Sequence, residues 1–434
     1  MKLDKKYVLL NIQFIFLTIL AITQLIGLAN FNIIISGIIL IIFLIANVEQ
    51  ETIMIFEILP FFNLLNKQIG GTSYYYVIPI IYIIKYIKFK RFKIKKQKLL
   101  CLLAFSILRA FCGNLVIWLK WFMLFCVLII TYDEDIFVLN FRDIVKYFTI
   151  LFLISSIFGN IMLKTGKSIY TGGYVYNNGK ITSRFAGLIG DPVFYSQISA
   201  ILISVNLVII YDENKIKLSQ IICIMLLIYF TVLSYSKTGI ILEIISIVIF
   251  YFEYFKINIF KKRTLLKGLI IFLIGILVFY VALIYIKNNS DNLIISNMVT
   301  RLDSDDLMTG RNKIFTHYID LIIKKIPYSL FWGLSDAEYA EPFSIGNGGV
   351  FNRSHNIYIE TMAIFGVIPT LIIIISIGLI FKNYIKYNTK KWFNLLPMLL
   401  LLISGVTLHG HYEFHYYFLV AICLASCSLK INKK

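Results

Sequence analysis

The sequence predicts an all-α, polytopic helical membrane protein with about 12–14 transmembrane helices. Three observations lead there. Hydrophobic residues fill 59% of the 434 positions and charged residues only 15%, whereas soluble domains carry roughly 25% charge. Mean hydropathy is +0.82. Apolar runs repeatedly approach or exceed the ~20 residues that a helix needs to cross a bilayer. The runs are continuous, not alternating, which excludes a transmembrane β-barrel. The composition also excludes a soluble enzyme, a disordered chain and a disulfide scaffold.

Taken in order, spans are predicted near 7–28, 31–48, 51–66, 73–87, 99–113, 115–131, 144–163, 193–211, 218–236, 238–255, 267–286, 355–381, 393–409 and 412–429. Lys2, Lys5 and Lys6 precede an apolar run long enough to be the first span and not a cleaved leader. The formal net charge of +19 would suggest nucleic acid in a soluble protein. Here the basic residues gather between spans, most densely at Lys88, Lys90, Arg91, Lys93, Lys95, Lys96 and Lys98. That pattern is a topology signal with attraction to anionic headgroups, and no nucleic-acid partner is expected. With both termini in the cytoplasm, the inner segments hold twice as many basic residues as the outer ones. Lys85, Arg109 and Lys120 fall within or at the ends of spans.

The whole chain, 1–434, reads as a single membrane domain. Two outer segments stand out, 164–192 and 287–354, and the second is the only long hydrophilic stretch. Within it Ile314, Phe315, Tyr318, Leu321 and Ile322 recur at helical spacing, so an amphipathic helix is expected near 311–325. Asp336–Gly349 reads as irregular loop, with Gly346, Gly348 and Gly349 breaking regular structure. Cys101, Cys112, Cys126, Cys223, Cys423 and Cys427 all lie in apolar stretches without a CxxC pair, as buried small hydrophobes do. No GxxxxGK[ST] loop, HExxH motif or large cytoplasmic segment appears. ATP-driven transport, zinc hydrolysis and a nucleotide-sugar domain are therefore not expected.

Chemistry concentrates at Arg353-Ser354-His355-Asn356-Ile357-Tyr358-Ile359-Glu360, where the long outer segment enters a span. A histidine titrating near ~6.5 can serve as base or acid at neutral pH. Glu360 is a carboxylate inside a span, costly unless paired or functional, and it shares a helix face with Asn356. The structural alternative is a polar helix start, with Ser354 or Asn356 as cap. Arg184, Arg301, Arg311 and Arg353 lie in outer segments, against the positive-inside tendency. Arginine binds phosphate bidentately, but these residues could equally pair with Asp303, Asp305 or Asp306. Ser183–Tyr195 contains Gly190-Asp191-Pro192, which suits Asp191 as a helix cap with Pro192 at the first position. Ser234-Tyr235-Ser236-Lys237-Thr238-Gly239 is an outer turn whose Lys237 is either a phosphate contact or an interfacial lysine. His409-Gly410-His411-Tyr412-Glu413 holds metal-ligating residue types without a standard spacing, so a polar turn near substrate is preferred to a metal site.

Assembled, the pattern resembles the O-antigen polymerase and O-antigen ligase superfamily. The number of spans and one long outer loop before the last three are similar. The family's His-Asn motif, HN followed by nine residues and a glycine, appears as His355-Asn356 and Gly366, with Pro369 at the position usually taken by Gly, Thr or Tyr. The blocks at 183–197, 234–239 and 309–311 resemble the family's in order, although Tyr195 stands where a long-spaced Arg-to-Gly pattern would place glycine.

The resemblance implies a GT-C-like membrane fold and metal-independent glycosyl transfer without a cofactor. The active site would face outward from the cytoplasmic membrane. The donor would be a glycan on polyprenyl pyrophosphate. His355 would be the general base, with Arg184 and Arg311 holding the pyrophosphate. Asn356, Glu360, Tyr195, Arg353, Arg301, Lys237 and His411 would contact or orient substrate. A flippase and a chain-length regulator are the implied protein partners. A polymerase is preferred to a ligase. A flippase for lipid-linked oligosaccharide and a noncatalytic assembly subunit are the rival classes. Sparse intramembrane charge and the absence of two related halves count against transport.

Overall fold

The computed structural model describes residues 5–68, 73–90, 126, 134–167, 174–177, 180–254, 311–339, 341, 343–345, 349–351, 354–371, 374–375, 389–407 and 414–429. Of the predicted spans, 99–113, 267–286 and all of 115–131 except Cys126 lie outside these residues. The fold is all-α, as the apolar runs predict. Among the described residues three helices are long and apolar enough to cross a membrane: Tyr7–Ile26, Leu139–Lys164 and Pro192–Glu213. Asn30–Ile45, Leu218–Leu233, Trp392–Ser404 and His415–Cys427 are shorter apolar helices. Chain contacts define two units, Met1–Phe158 with Met308–Lys434, and Gly159–Leu307.

The first unit opens with α1 (Lys5–Ile26), α2 (Ala29–Ile45) and α3 (Val48–Ile58). Asn47 and Gln50 close a capping box at the start of α3, so two otherwise orphaned N–H groups are satisfied. A 3-10 turn at Leu59–Phe61, containing Pro60, joins α3 to α4 (Phe62–Gln68), and α5 follows (Ser73–Phe89). Every residue from Gln50 to Phe61 is buried, which fits a helix that is packed on all sides. The Phe56 ring meets those of Phe137, Phe148 and Phe418 at centroid distances of 6.3, 5.6 and 5.6 Å. Phe137 and Phe148 belong to α6 (Glu134–Lys164), a helix of 31 residues, about 46 Å long.

Lys85 organises the junction of α2 and α3. Its ammonium donates to the carbonyls of Phe43, Leu44 and Ala46 and sits 2.7 Å from Glu51 Oε1. A cation thus covers the carbonyl end of α2, and a carboxylate lies in the first turn of α3, each at the helix end its charge favours. Nearby, the Thr52 and Tyr82 hydroxyls share a buried 2.8 Å hydrogen bond.

The remainder of this unit comprises α10 (Arg311–Lys324), α11 (Tyr328–Phe331), α12 (Asp336–Tyr339), α13 (Ile357–Phe365), a 3-10 segment at Thr389–Leu395, α14 (Leu396–Ser404) and α15 (Phe414–Ser428). A two-stranded hairpin pairs Phe343–Ile345 with Gly349–Phe351. Asp336–Gly349 is therefore not all irregular: it carries a helical turn and most of a hairpin. The predicted span 355–381 is also broken. The helix ends at Phe365, Gly366 takes φ 96°, and residues 367–371 are helical again.

The second unit holds an antiparallel hairpin, Tyr174–Asn177 with Lys180–Ser183, then α7 (Pro192–Glu213), α8 (Leu218–Leu233) and α9 (Lys237–Tyr254). Asp191 caps α7, its Oδ1 accepting from Val193 N at 2.7 Å and Phe194 N at 3.0 Å, with Pro192 at the first position. Residues Phe194–Ile210 are all buried, so α7 is the axis of this unit. Close approach rests on small residues: a Cβ on Gly239 of α9 would collide with the Ser196 side chain of α7.

Replacing Lys85 by alanine removes the cation that pairs with the buried Glu51 carboxylate. The expected cost is roughly 3–5 kcal/mol, read as a lower thermal unfolding midpoint of the detergent-purified protein. Adding Glu51→Gln should restore part of it. An unchanged midpoint for Lys85→Ala would remove the pair from the framework.

Candidate functional site

In the first unit the site is built on the C-terminal end of α14. A helix ends with carbonyls that have no intrahelical partner, and in an apolar environment each needs a donor. Here the donors come from the motif residues. Tyr358 Oη donates to Leu402 O at 2.6 Å, Ile357 N to Gly405 O at 2.8 Å, Asn356 Nδ2 to Val406 O at 3.1 Å, and Arg311 Nη1 to Thr407 O at 2.8 Å. Asn356 is used at both ends of its amide. Its Oδ1 accepts from Tyr358 N at 2.9 Å and Ile359 N at 3.1 Å, making it the N-cap of α13. Arg311 and Asn356 thus occupy neighbouring carbonyls of one segment, with His355 adjoining.

His355 is half-buried and has φ 51°. A left-handed backbone is uncommon outside glycine, though histidine tolerates it better than most residues. Flanking bonds hold it there: Ser354 Oγ donates to Asn356 O at 3.0 Å, and Ser354 is fully buried. Such strain persists where the surroundings impose it, often at functional sites.

One turn along α13, Glu360 is buried and accepts from Tyr339 Oη at 2.6 Å. Tyr318 Oη in turn donates to Tyr339 O at 3.1 Å, and the two rings lie 5.3 Å apart. Glu360 therefore ties α13 to α12 and α10, and α10 begins with Arg311. The far end of α13 is fixed by glycines. Leu334 N donates to Ala363 O at 2.5 Å. A Cβ on Gly333 would collide with Ala363 O, and one on Gly366 would lie 2.7 Å from the Phe331 carbonyl carbon. Nearby, Lys325 pairs with Glu338. The hydrogen bond holds the Glu338 carboxyl below its usual range and the Lys325 ammonium above its own.

The second unit brings together Arg184, Tyr195 and the 234–239 turn. Arg184 Nε donates to Ser234 O at 2.9 Å and Phe185 N to Leu233 O at 3.2 Å, so the segment after the hairpin hangs on the C-terminal carbonyls of α8. Phe185 stacks on Phe230 and meets Tyr195 edge-on at 4.9 Å. Phe185, Ala186, Leu188 and Ile189 are buried, so this part of the predicted outer segment is core. The turn itself is tight: Tyr235 has φ 51°, and Ser196 Oγ donates to Ser236 Oγ at 2.7 Å. Lys237 opens α9, where helix N–H groups and an ammonium together favour an anion.

Of the residues singled out from sequence, His355, Asn356, Glu360 and Arg311 are gathered in the first unit, and Arg184, Tyr195 and Lys237 in the second. Arg301, Arg353 and His411 lie outside the described residues, as do His409 and Glu413. Among the described residues no group of three or more histidines, cysteines or acids is placed to hold a metal. Sequence reasoning missed Tyr339, Tyr358 and the role of the α14 end. It also missed Glu243, a carboxylate within a predicted span, a position that itself signals a role.

Gly366→Ala should destabilise the protein by more than about 1 kcal/mol, because φ is positive and the new methyl meets backbone. Gly37→Ala is the control. Nothing lies within 4 Å of that position, and alanine in a helix is favoured over glycine by about 1 kcal/mol. Thermal midpoints in detergent should move in opposite directions. Equal shifts would mean that the Gly366 contact is not tight.

No curated protein and no solved structure matches the chain. Residues 222–375 match the family model described as O-antigen ligase. The matched stretch contains the 234–239 turn, Arg311 and the whole of α13 with its His355-Asn356 start and Gly366 end, while Arg184 lies before it. Over this stretch, about a third of the chain, the protein is similar to the O-antigen ligase family.

Proposed function

We propose that this protein is a polysaccharide polymerase that joins lipid-linked oligosaccharide repeat units at the outer face of the cytoplasmic membrane. The match of residues 222–375 to the O-antigen ligase family model supports a membrane glycosyltransferase-like enzyme acting on a lipid-linked glycan. The observation that carries the catalytic reading is His355: a titratable side chain on a left-handed backbone, locked between a buried serine and a capping asparagine.

In this reading His355 accepts the proton of the acceptor hydroxyl. The hydroxyl oxygen bonds to the anomeric carbon of the donor. The bond from that carbon to the pyrophosphate oxygen breaks, and the electron pair leaves on the phosphate. A single displacement inverts the anomeric centre. Arg311 and Arg184 are assigned to the pyrophosphate charge. Each has one N–H fixed on a backbone carbonyl, which orients the planar guanidinium before charge develops. Lys237 at the start of α9 is assigned to the same anion. Glu360 acts by positioning α13 through Tyr339. The polyprenyl pyrophosphate is already an activated leaving group, so neither nucleotide nor metal is required.

The test is the lipid-linked glycan profile of cells lacking the gene, complemented with variants. Wild type should restore a ladder, while the deletion and His355→Ala should show single repeats. His355→Gly keeps a residue suited to positive φ, so it should fold at least as well as wild type and still give no ladder. A full ladder from either variant removes His355 as the base. Repeats retained on the inner leaflet in the deletion strain would identify a flippase instead.

A further inference from the structure

Glu243 lies in α9 and is 2% exposed. A carboxylate at such a position is expensive, and here three helices supply it with partners. Thr231 Oγ1 of α8 donates to Glu243 Oε1 at 2.6 Å, and Ser199 Oγ of α7 donates to the same oxygen at 3.0 Å. The two hydroxyls lie 2.9 Å apart. One turn before Ser199 on the same face, Ser196 reaches Ser236 in the turn that leads into α9.

This cluster lies directly beneath the support of Arg184. Thr231 is in the last turn of α8. Its carbonyl accepts from Ser234 Oγ at 2.6 Å, and Ser234 O accepts the Arg184 Nε–H. The chain of bonds therefore runs from Glu243 through Thr231 and Ser234 to the guanidinium. The adjacent carbonyl, Leu233 O, holds Phe185 N, so both fixed points of the Arg184 segment belong to the turn that Glu243 tethers. Helix–helix adhesion alone could be supplied by a serine or threonine. A carboxylate oxygen that takes two hydroxyls at once fixes the rotation of the α8 terminus as well.

We propose that Glu243 is a positioning residue for Arg184, acting through Thr231 and Ser234 to aim the guanidinium at the substrate pyrophosphate. This rests on the assignment of Arg184 to the leaving group. Removing the tether should therefore lower the rate of transfer and leave substrate capture nearly unchanged.

The experiment uses full-length protein in detergent and lipid-linked repeat units extracted from the deletion strain. Rates are normalised to folded protein. Glu243→Ala should lower the maximal rate at least tenfold with little change in the half-saturating substrate concentration. Glu243→Gln keeps an oxygen acceptor for both hydroxyls and should stay within about threefold of wild type. In an Arg184→Lys background, Glu243→Ala should have no further effect, as expected when one residue acts through the other. A normal rate per folded molecule for Glu243→Ala, even at reduced yield, overturns the proposal and leaves Glu243 as helix adhesion. So do effects that simply multiply with those of Arg184→Lys. If Arg184→Lys and Arg184→Ala alone transfer at the wild-type rate, the pyrophosphate assignment of Arg184 falls, and that outcome is read from the single variants.

Discussion

The arrangement of the candidate site follows from the need to satisfy helix-terminal carbonyls in an apolar bundle. The carbonyls of residues 405–407, just beyond the end of α14, no longer have the regular partners that a continuing helix would supply. Water satisfies such groups in a soluble protein, whereas in a membrane protein another part of the chain must do so. In this protein the donors are Tyr358, Ile357, Asn356 and Arg311. The residues with the most chemistry to offer are thereby immobilised by an obligation that is purely structural. Leu402 O also accepts from Gly405 N at 3.1 Å, so the Tyr358 hydroxyl adds a second bond there, whereas Asn356 and Arg311 each reach a carbonyl beyond the helix end.

The second unit solves the same problem with the same residue type. The C-terminal turn of α8 presents Leu233 O and Ser234 O, and these take Phe185 N and Arg184 Nε. An arginine at the carbonyl end of a helix is favoured electrostatically and loses much of its rotational freedom. For a residue that must meet developing negative charge, that loss is useful. The entropy of ordering the side chain is spent during folding and not during the reaction. Lys85 of α5, at the carbonyl end of α2, shows that the device recurs in this chain, because there the capping cation pairs with Glu51 at a place far in sequence from the motif residues.

Much of the helical framework was legible because hydropathy and helix length are coupled by bilayer thickness. The Asp191-Pro192 cap was legible for a local reason, since both residue types have a fixed role at a helix start. The break at Gly366 was not: hydropathy is blind to φ, and the run 355–381 remains apolar across it. The hairpin at 343–351 was hidden by its glycines, which read as disorder when taken one at a time. Backbone carbonyls have no sequence signature, so the role of the α14 end could not be read. Glu243 was visible as a letter in an apolar run, but its partners on α7 and α8 are 44 and 12 residues away.

The spacing from His355-Asn356 to Gly366 then has a geometric cause. Asn356 is the N-cap, Gly366 is the C-cap, and the nine residues between them are the helix α13. Its N-terminal end is fixed on the α14 carbonyls and its C-terminal end on the backbone of residues 330–334. A helix of nine residues spans about 13.5 Å, so the motif measures the distance between two backbone anchors. Inserting or deleting one residue would rotate one end by about 100° relative to the other. Either Glu360 would leave Tyr339, or the His355 turn would leave its seat. Glycine is required at the far anchor by φ and by contact, asparagine at the near one by its two-sided amide. The left-handed turn at His355 adjoins the near anchor, so the anchors that set the motif's spacing also set where the imidazole is held.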